Sequence, residues 1–336
     1  MTGFVSSKWA RVAERVTVSK MTRPRSPLVY SPEYSVQPWP REHRFVMSKF
    51  HDLAESLRED GYLTGPHVHV PEYPSESLIE SVHESSYVRA FNNGTLDDNK
   101  LREIGFRGLW SPELVRRTNL EVAGTVLAAE LALESGLACN LGGGTHHAHR
   151  DRGSGFTIFN DLAVAAVALL DKGVDRILIC DLDVHQGDGT ASIFEERPEV
   201  CTFSMHCQSN FPFRKCQSTL DIGLEDGVGD EEYLRILKDQ LIFVLKAFQP
   251  EFVLYDAGVD PHVDDELGKL NLTDNGLFAR DVFVMTECLS RGMPVAGVIG
   301  GGYHRDRRVL GRRHSILHRA AETVWEQQSI ASKSWA

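Results

Sequence analysis

The 336-residue chain has no apolar stretch near the roughly 18 residues that a membrane span needs. Its longest candidate, LAVAAVALL at 162–170, is about half that length and has helical spacing. A spanning helix is therefore excluded, and a soluble chain is expected. There is no CxxC pair. Cys139, Cys180, Cys201, Cys207, Cys216 and Cys288 are scattered, which argues against a disulfide framework and for thiols in a reducing compartment, cytoplasmic or nuclear. Positive charge is scarce: 36 Lys and Arg face 47 Asp and Glu, for a net charge of -11. A protein that grips nucleic acid by its phosphates would normally be basic, so direct nucleic-acid binding is not expected. Phosphate-cradling glycine motifs are also missing. LGGGTHHAH and IGGGYHRD have neither the G-x-G-x-x-G spacing nor a GK[ST] ending.

Low-complexity tracts, internal repeats and dividing linkers are absent from about residue 27 onward. Residues 27–336 are expected to form a single domain, whose 42% hydrophobic content and length allow a sizeable core. Residues 1–26 differ, with six Lys or Arg against one acid, Glu14. They read as a basic, flexible extension, with organelle targeting as the alternative.

What the domain does contain is an alternation of strand-like and helical runs. Strands are expected at 136–144, 176–185, 200–206, 251–260 and 294–304. Helices are expected at 160–173, 230–248 and 272–292, the first and last closed by Gly173 and Gly292. This order predicts an α/β fold: a three-layer α-β-α arrangement around a mostly parallel sheet. Ligands in such folds gather beyond the carboxyl ends of the strands. Four of those ends read GGGTHHAH, DLDVHQGDG, DAGVDPHVDD and GGGYH, so polar chemistry is concentrated there.

In ILICDLDVHQGDGT, Asp181, Asp183 and His185 occupy every second position. On a strand that persists so far they share one face. Carboxylate oxygen and imidazole nitrogen suit Zn²⁺, and catalytic zinc usually takes three protein ligands. Asp183 and His185 supply two, and Asp260 is the best-placed third. Asp181 is left to support a ligand or to hold an alkali ion. The adjacent His146 and His147 offer a proton acceptor and a proton donor if a glycine-led turn lets both face the site. Asp181 and Asp188 would orient them. The Tyr303 phenol, after three glycines, can stabilise a developing oxyanion. The competing readings are a salt-bridged strand end for D-x-D-x-H, a surface placement for HH and a buried strand-closing tyrosine.

GGGTHHA, GFTIFND, DLDVHQGDGT, YDAGVDPHVDDELG and GGGYH, in this order, resemble the zinc-dependent histone deacetylase family. LVYSPEYSVQPWPREHRFVMSKFHDLAESL (28–57) is similar to that family's amino-terminal segment, which passes over the site. The stretch WSPELVRRTNLEVAGT looks most like the class IV branch and its bacterial relatives. The resemblance covers about residues 27–320. It implies the arginase/deacetylase fold, with about eight strands. It implies zinc held by Asp183, His185 and Asp260, and His146 and His147 as the general-base and general-acid pair backed by Asp181 and Asp188. Tyr303 would polarise the amide carbonyl. Gly155 and Phe156 would form one wall of an acyl-lysine channel, with Phe211 opposite. Asp181, Ser204 and Met205 fall where the family binds a monovalent cation, K⁺ being the candidate. The rim acid by which class I members grip the substrate backbone has no placeable equivalent. His262 and His304 have no family role and are expected at the rim, behind the ligands or in solvent.

The reaction implied is zinc-dependent hydrolysis of an N-acyl amide, most simply acetyl-lysine on a protein or peptide. Class IV enzymes favour long fatty-acyl groups, so a long-chain deacylase is a second expectation. A small acylated amine, such as an acetylpolyamine, is a rival substrate. A non-catalytic acyl-binding module is a rival of another kind, but it would be expected to lose Tyr303 or a zinc ligand. A two-manganese ureohydrolase would need a carboxylate where Gly187 stands.

Overall fold

Four short runs are buried at every position: LACN, ILICD, FVLYD and VAGV. Strands apolar on both faces belong in the middle of a parallel sheet covered on both sides. The computed structural model, which describes residues 25–333, places them there. The strands are β1 (Leu28–Val29), β2 (Val68–His69), β3 (Leu137–Asn140), β4 (Ile177–Asp181), β5 (Val200–Cys207), β6 (Leu220–Leu224), β7 (Phe252–Asp256) and β8 (Val295–Val298). They form one sheet in the order β2-β1-β3-β8-β7-β4-β5-β6. Every pairing is parallel. The less buried β2 and β6 are its edges. Helices flank the sheet in an α-β-α arrangement, Pro112–Ser135 packing with Asp161–Asp171, and Arg307–Lys333 with Lys49–Glu59 and Asp274–Leu289.

Local chemistry sets the helix ends. Ser111 caps Pro112–Ser135 by accepting the Leu114 N–H, and Pro112 opens its first turn. Asn160 caps Asp161–Asp171 through the Ala163 N–H, and Thr273 caps Asp274–Leu289 through the Gly276 N–H. Helix Asp230–Phe248 carries three acids in its first turn, where they meet the positive end of the helix dipole.

The expected strands are present, and all but β5, which runs one residue further to Cys207, are shorter. β4 stops at Asp181 and does not run to 185, so Asp183 and His185 lie on a loop and not on one strand face. β3, β7 and β8 likewise end before their glycines. β1, β2 and β6 were not foreseen. Of the basic segment 1–26, residues 1–24 lie outside the described residues. Among the described residues, no helix is long and apolar enough to cross a membrane.

Candidate active site

Strands β3, β4, β7 and β8 release their chains at one edge of the sheet, and the loops that follow converge. The HH turn is built first. Gly143 and Gly144 adopt φ of 87° and 85°, a region that only glycine enters freely. Asp161, at the start of the next helix, anchors the turn by accepting the Gly144 and Thr145 N–H groups. The turn points both imidazoles inward, with ring centroids 4.1 Å apart.

Each histidine is backed by a carboxylate. His146 Nδ1 lies 2.8 Å from Asp181 Oδ2, and His147 Nδ1 lies 2.6 Å from Asp188 Oδ1. Their surroundings drive them apart. Burial opposes charge on His146, but Asp181, Asp183 and Asp256 outweigh it and hold its pKa well above the usual histidine value. Burial and the neighbouring His146 push His147 down to about 4, although Asp188 pulls the other way. Two chemically identical side chains are therefore biased in opposite directions, His146 toward the charged form and His147 toward the neutral one.

Asp183, His185 and Asp260 come together as expected. Their ligating atoms all lie within 4.8 Å of one another, and all three residues are buried. His185 Nδ1 is 3.0 Å from Asp183 Oδ1 and 3.1 Å from Asp260 Oδ2. Two carboxylates and an imidazole at this spacing fit a divalent ion of the zinc type with an open position. Glycine makes the room. A Cβ on Gly301 would sit 2.3 Å from Asp260 Oδ2 and 2.6 Å from Asp183 Oδ2.

Tyr303 lines the cleft together with His147, His185 and Asp188. Burial, then Asp260 and Asp183, raise its phenol well above 10, so it stands as an O–H donor. Gly155, Phe156 and Phe211 also line this open cleft of about 660 Å³. The Phe211 ring meets His147 edge-on at 4.9 Å, and the Phe156 and Tyr303 rings are 5.9 Å apart. Behind the ligand loops lies a second cavity of about 30 Å³, bordered by Phe45, Phe50, Lys49, Arg117 and Glu121 as well as Asp183 and Tyr303.

Ser204 stands directly beside Asp181 across the β4–β5 ladder. Its hydroxyl is 2.9 Å from His206 Nδ1, and the Met205 side chain is in the core. His262 is buried and accepts the Asp264 N–H, and His304 accepts the Asp306 N–H. Neither borders the cleft.

Several residues escaped the sequence reading. Glu103 and Arg44 line the cleft, so an acid does stand at the rim. Asp265 accepts the Tyr303 N–H at 2.7 Å, a role open to any acid in HVDDELG. Fully buried Arg280 donates to the carbonyls of Leu182, Ala257 and Gly258. It thereby ties the Asp183 loop to the Asp260 loop. An Arg-Asp pair inside an apolar helix was its only signal.

An edge where acids, imidazoles and a phenol crowd one cleft floor is equipment for hydrolysis. A model of the histone deacetylase domain matches residues 43–317, and the chain belongs to that family. It is 52% identical over 300 residues to an uncharacterized protein of Picosynechococcus sp., covering 89% of this chain and 99% of that one. It is 31% identical to histone deacetylase 2 of Arabidopsis thaliana, covering 82% and 74%. With the acetoin utilization protein AcuC of Staphylococcus aureus it shares 28%, covering 85% and 79%. The crystal structure of the HDA15 HD domain matches in fold, with a TM-score of 0.74, 22% identity and coverage of 91% and 92%.

Proposed function

We propose that the protein hydrolyses N-acyl-lysine amides with short acyl groups, acetyl first, using a divalent ion, most simply Zn²⁺, on Asp183, His185 and Asp260. One observation carries this reading: Asp183, His185 and Asp260 come within ligating distance of one another, and His185 shares the cleft wall with His147, which burial biases to the neutral form, and with the Tyr303 phenol. A divalent ion held there supplies Lewis-acid polarisation of the carbonyl and acidification of water. The chain's own residues do the rest. Phe156 and Phe211 offer aromatic walls to the lysine stem. His147, neutral and oriented by Asp188, takes the proton from the attacking water. Tyr303 O–H donates to the developing oxyanion. His146, biased to the charged form by Asp181 and Asp183, stabilises that negative charge and is the proton source for the leaving amine. Asp181, Ser204 and Met205 remain the candidate seat of a monovalent cation.

The acyl group must extend past the ligands. The space there is small, about 30 Å³ against about 660 Å³ for the cleft. It is also bordered by Lys49, Arg117 and Glu121. A long hydrocarbon chain would have to desolvate those charges, so short acyl groups fit and long ones do not. The test is a series from acetyl to myristoyl on one lysine peptide. The highest kcat/KM is expected for acetyl. A maximum at myristoyl would reverse the chain-length assignment, and no turnover of any member by the zinc-loaded protein would reject the activity.

A further inference from the structure

Asp188 has a second histidine. His149 Nε2 lies 3.4 Å from Asp188 Oδ2, while His147 Nδ1 holds Asp188 Oδ1 at 2.6 Å. The far side of the His149 ring is also fixed. Its Nδ1 is 2.7 Å from Ser192 Oγ, and that hydroxyl also lies 2.9 Å from the Gly189 carbonyl. A carboxylate only accepts, so the ring N–H belongs at Nε2, and Nδ1 accepts from the Ser192 hydroxyl. Each ring nitrogen of His149 faces an oxygen.

The backbone of His149 is held just as closely. Its N–H donates to the Arg152 carbonyl at 2.8 Å. Its carbonyl accepts from His83 Nδ1 at 2.8 Å, and His83 Nε2 accepts the Asn160 N–H. His149 is only 7% exposed and borders the cleft. A surface histidine needs none of this.

We infer that His149 is a positioning residue for the reaction: it grips the second oxygen of Asp188 and so aims the first at His147. A carboxylate turns about its last side-chain bond, and one hydrogen bond does not stop it. A second ring nitrogen set against the other oxygen, here at 3.4 Å, narrows that turn. The line Gly189 carbonyl, Ser192, His149, Asp188, His147 runs from the backbone of helix Asp188–Phe194 to the ring that faces the substrate. Because the ring acts through Asp188, its loss should slow the chemical step and leave substrate binding intact. The inference rests on the proposed role of His147 in acyl-lysine hydrolysis.

The test uses the full-length, zinc-loaded protein and an acetyl-lysine peptide. His149→Phe keeps a ring of similar size and removes both nitrogens. It is expected to lower kcat roughly 10- to 100-fold, the usual cost of losing such a supporting contact, with KM, zinc content and melting temperature near the parent's. His149→Gln, whose amide can still donate to Asp188, is expected to regain most of kcat. Unchanged kcat in His149→Phe, or equal losses in both variants, overturns the inference. A second readout does not need turnover. The low-field proton resonance of the short His147–Asp188 bond, assigned by its loss in Asp188→Asn, is expected to shift or broaden in His149→Phe. If the parent cleaves no acyl-lysine peptide, the proposed activity fails while this signal still decides the geometry, and an unmoved resonance overturns it.

Discussion

Asp256 lies directly opposite Asp181 in the register of the two central strands β4 and β7. It is fully buried, and neither of its carboxylate oxygens has a hydrogen-bond partner. His146 Nδ1 lies 2.8 Å from Asp181 Oδ2 and 3.8 Å from Asp256 Oδ2, so one imidazole faces two acids. Burial and the charge of Asp181 raise Asp256 well above the usual carboxylate value.

That shift has a sign that can be tested. The fold holds the Asp256 proton to higher pH than the unfolded chain, which gives it up near 3.8. Stability is therefore intact below that pH and is lost as pH rises above it. Asparagine has the same shape and never ionises. Asp256→Asn is expected to be the more stable protein at pH 7, on the order of 1 kcal/mol or roughly 1–2 °C in melting temperature. The gap should close toward pH 4 in a thermal scan. A lower melting temperature at pH 7 would contradict it.

Acid should destabilise the protein through buried neutral histidines. His318 has both ring nitrogens buried without partners, and burial depresses it to about 3. Burial likewise takes His83 down to about 4, against its bond to the His149 carbonyl. The unfolded chain binds these protons near 6.5, so stability present above that pH is lost as pH falls toward 4 and 3. His318→Leu should flatten the decline, gaining on the order of 2 kcal/mol at pH 5 relative to pH 7. Urea unfolding of chelated protein at several pH values checks this, and parallel curves for parent and variant would refute it.

Tyr303→Phe keeps the ring against Phe156 and removes the O–H. Turnover of an acetyl-lysine peptide is expected to fall about 100- to 1000-fold, with zinc still near one per chain by elemental analysis. Near-parent turnover would remove the proposed oxyanion contact.

Arg280 holds the carbonyls of Leu182 and Gly258 at 3.2 and 2.7 Å and pairs with Asp281 at 2.8 Å. Lysine keeps the charge but cannot span the same acceptors. Arg280→Lys is expected to fold and to bind zinc roughly 10-fold or more weakly in a chelator competition. Parent affinity would show that the two ligand loops hold themselves.

The alternation of runs made the parallel sheet legible, and the glycine-flanked Asp, His and Tyr residues at its strand ends made the site legible. Asp183, His185 and Asp260 come within 4.8 Å of one another, and His147 and Tyr303 share the cleft wall with His185. The route to that meeting was misread. Alternation implied a continued strand at Asp183 and His185, but the chain leaves β4 at Asp181, and the following loop is fixed by bonds such as Val184 N–H to Asp260 at 2.8 Å. A long-range tie of that kind leaves no periodic trace. β1 and β2 have two residues each, too few for any pattern to show. Asp256 and His149 were in view within YDAGVD and HHAH. Their importance depends on strand register and on a helix-borne serine, and neither is written in local spacing.

The most direct measurement is acetate release from an acetyl-lysine peptide by protein first stripped with a chelator and then titrated with zinc. Activity is expected to vanish on stripping and to return in proportion to zinc, saturating near one equivalent per chain, and not to return in Asp183→Ala. Turnover that survives stripping, or that zinc restores equally in Asp183→Ala, would contradict the account.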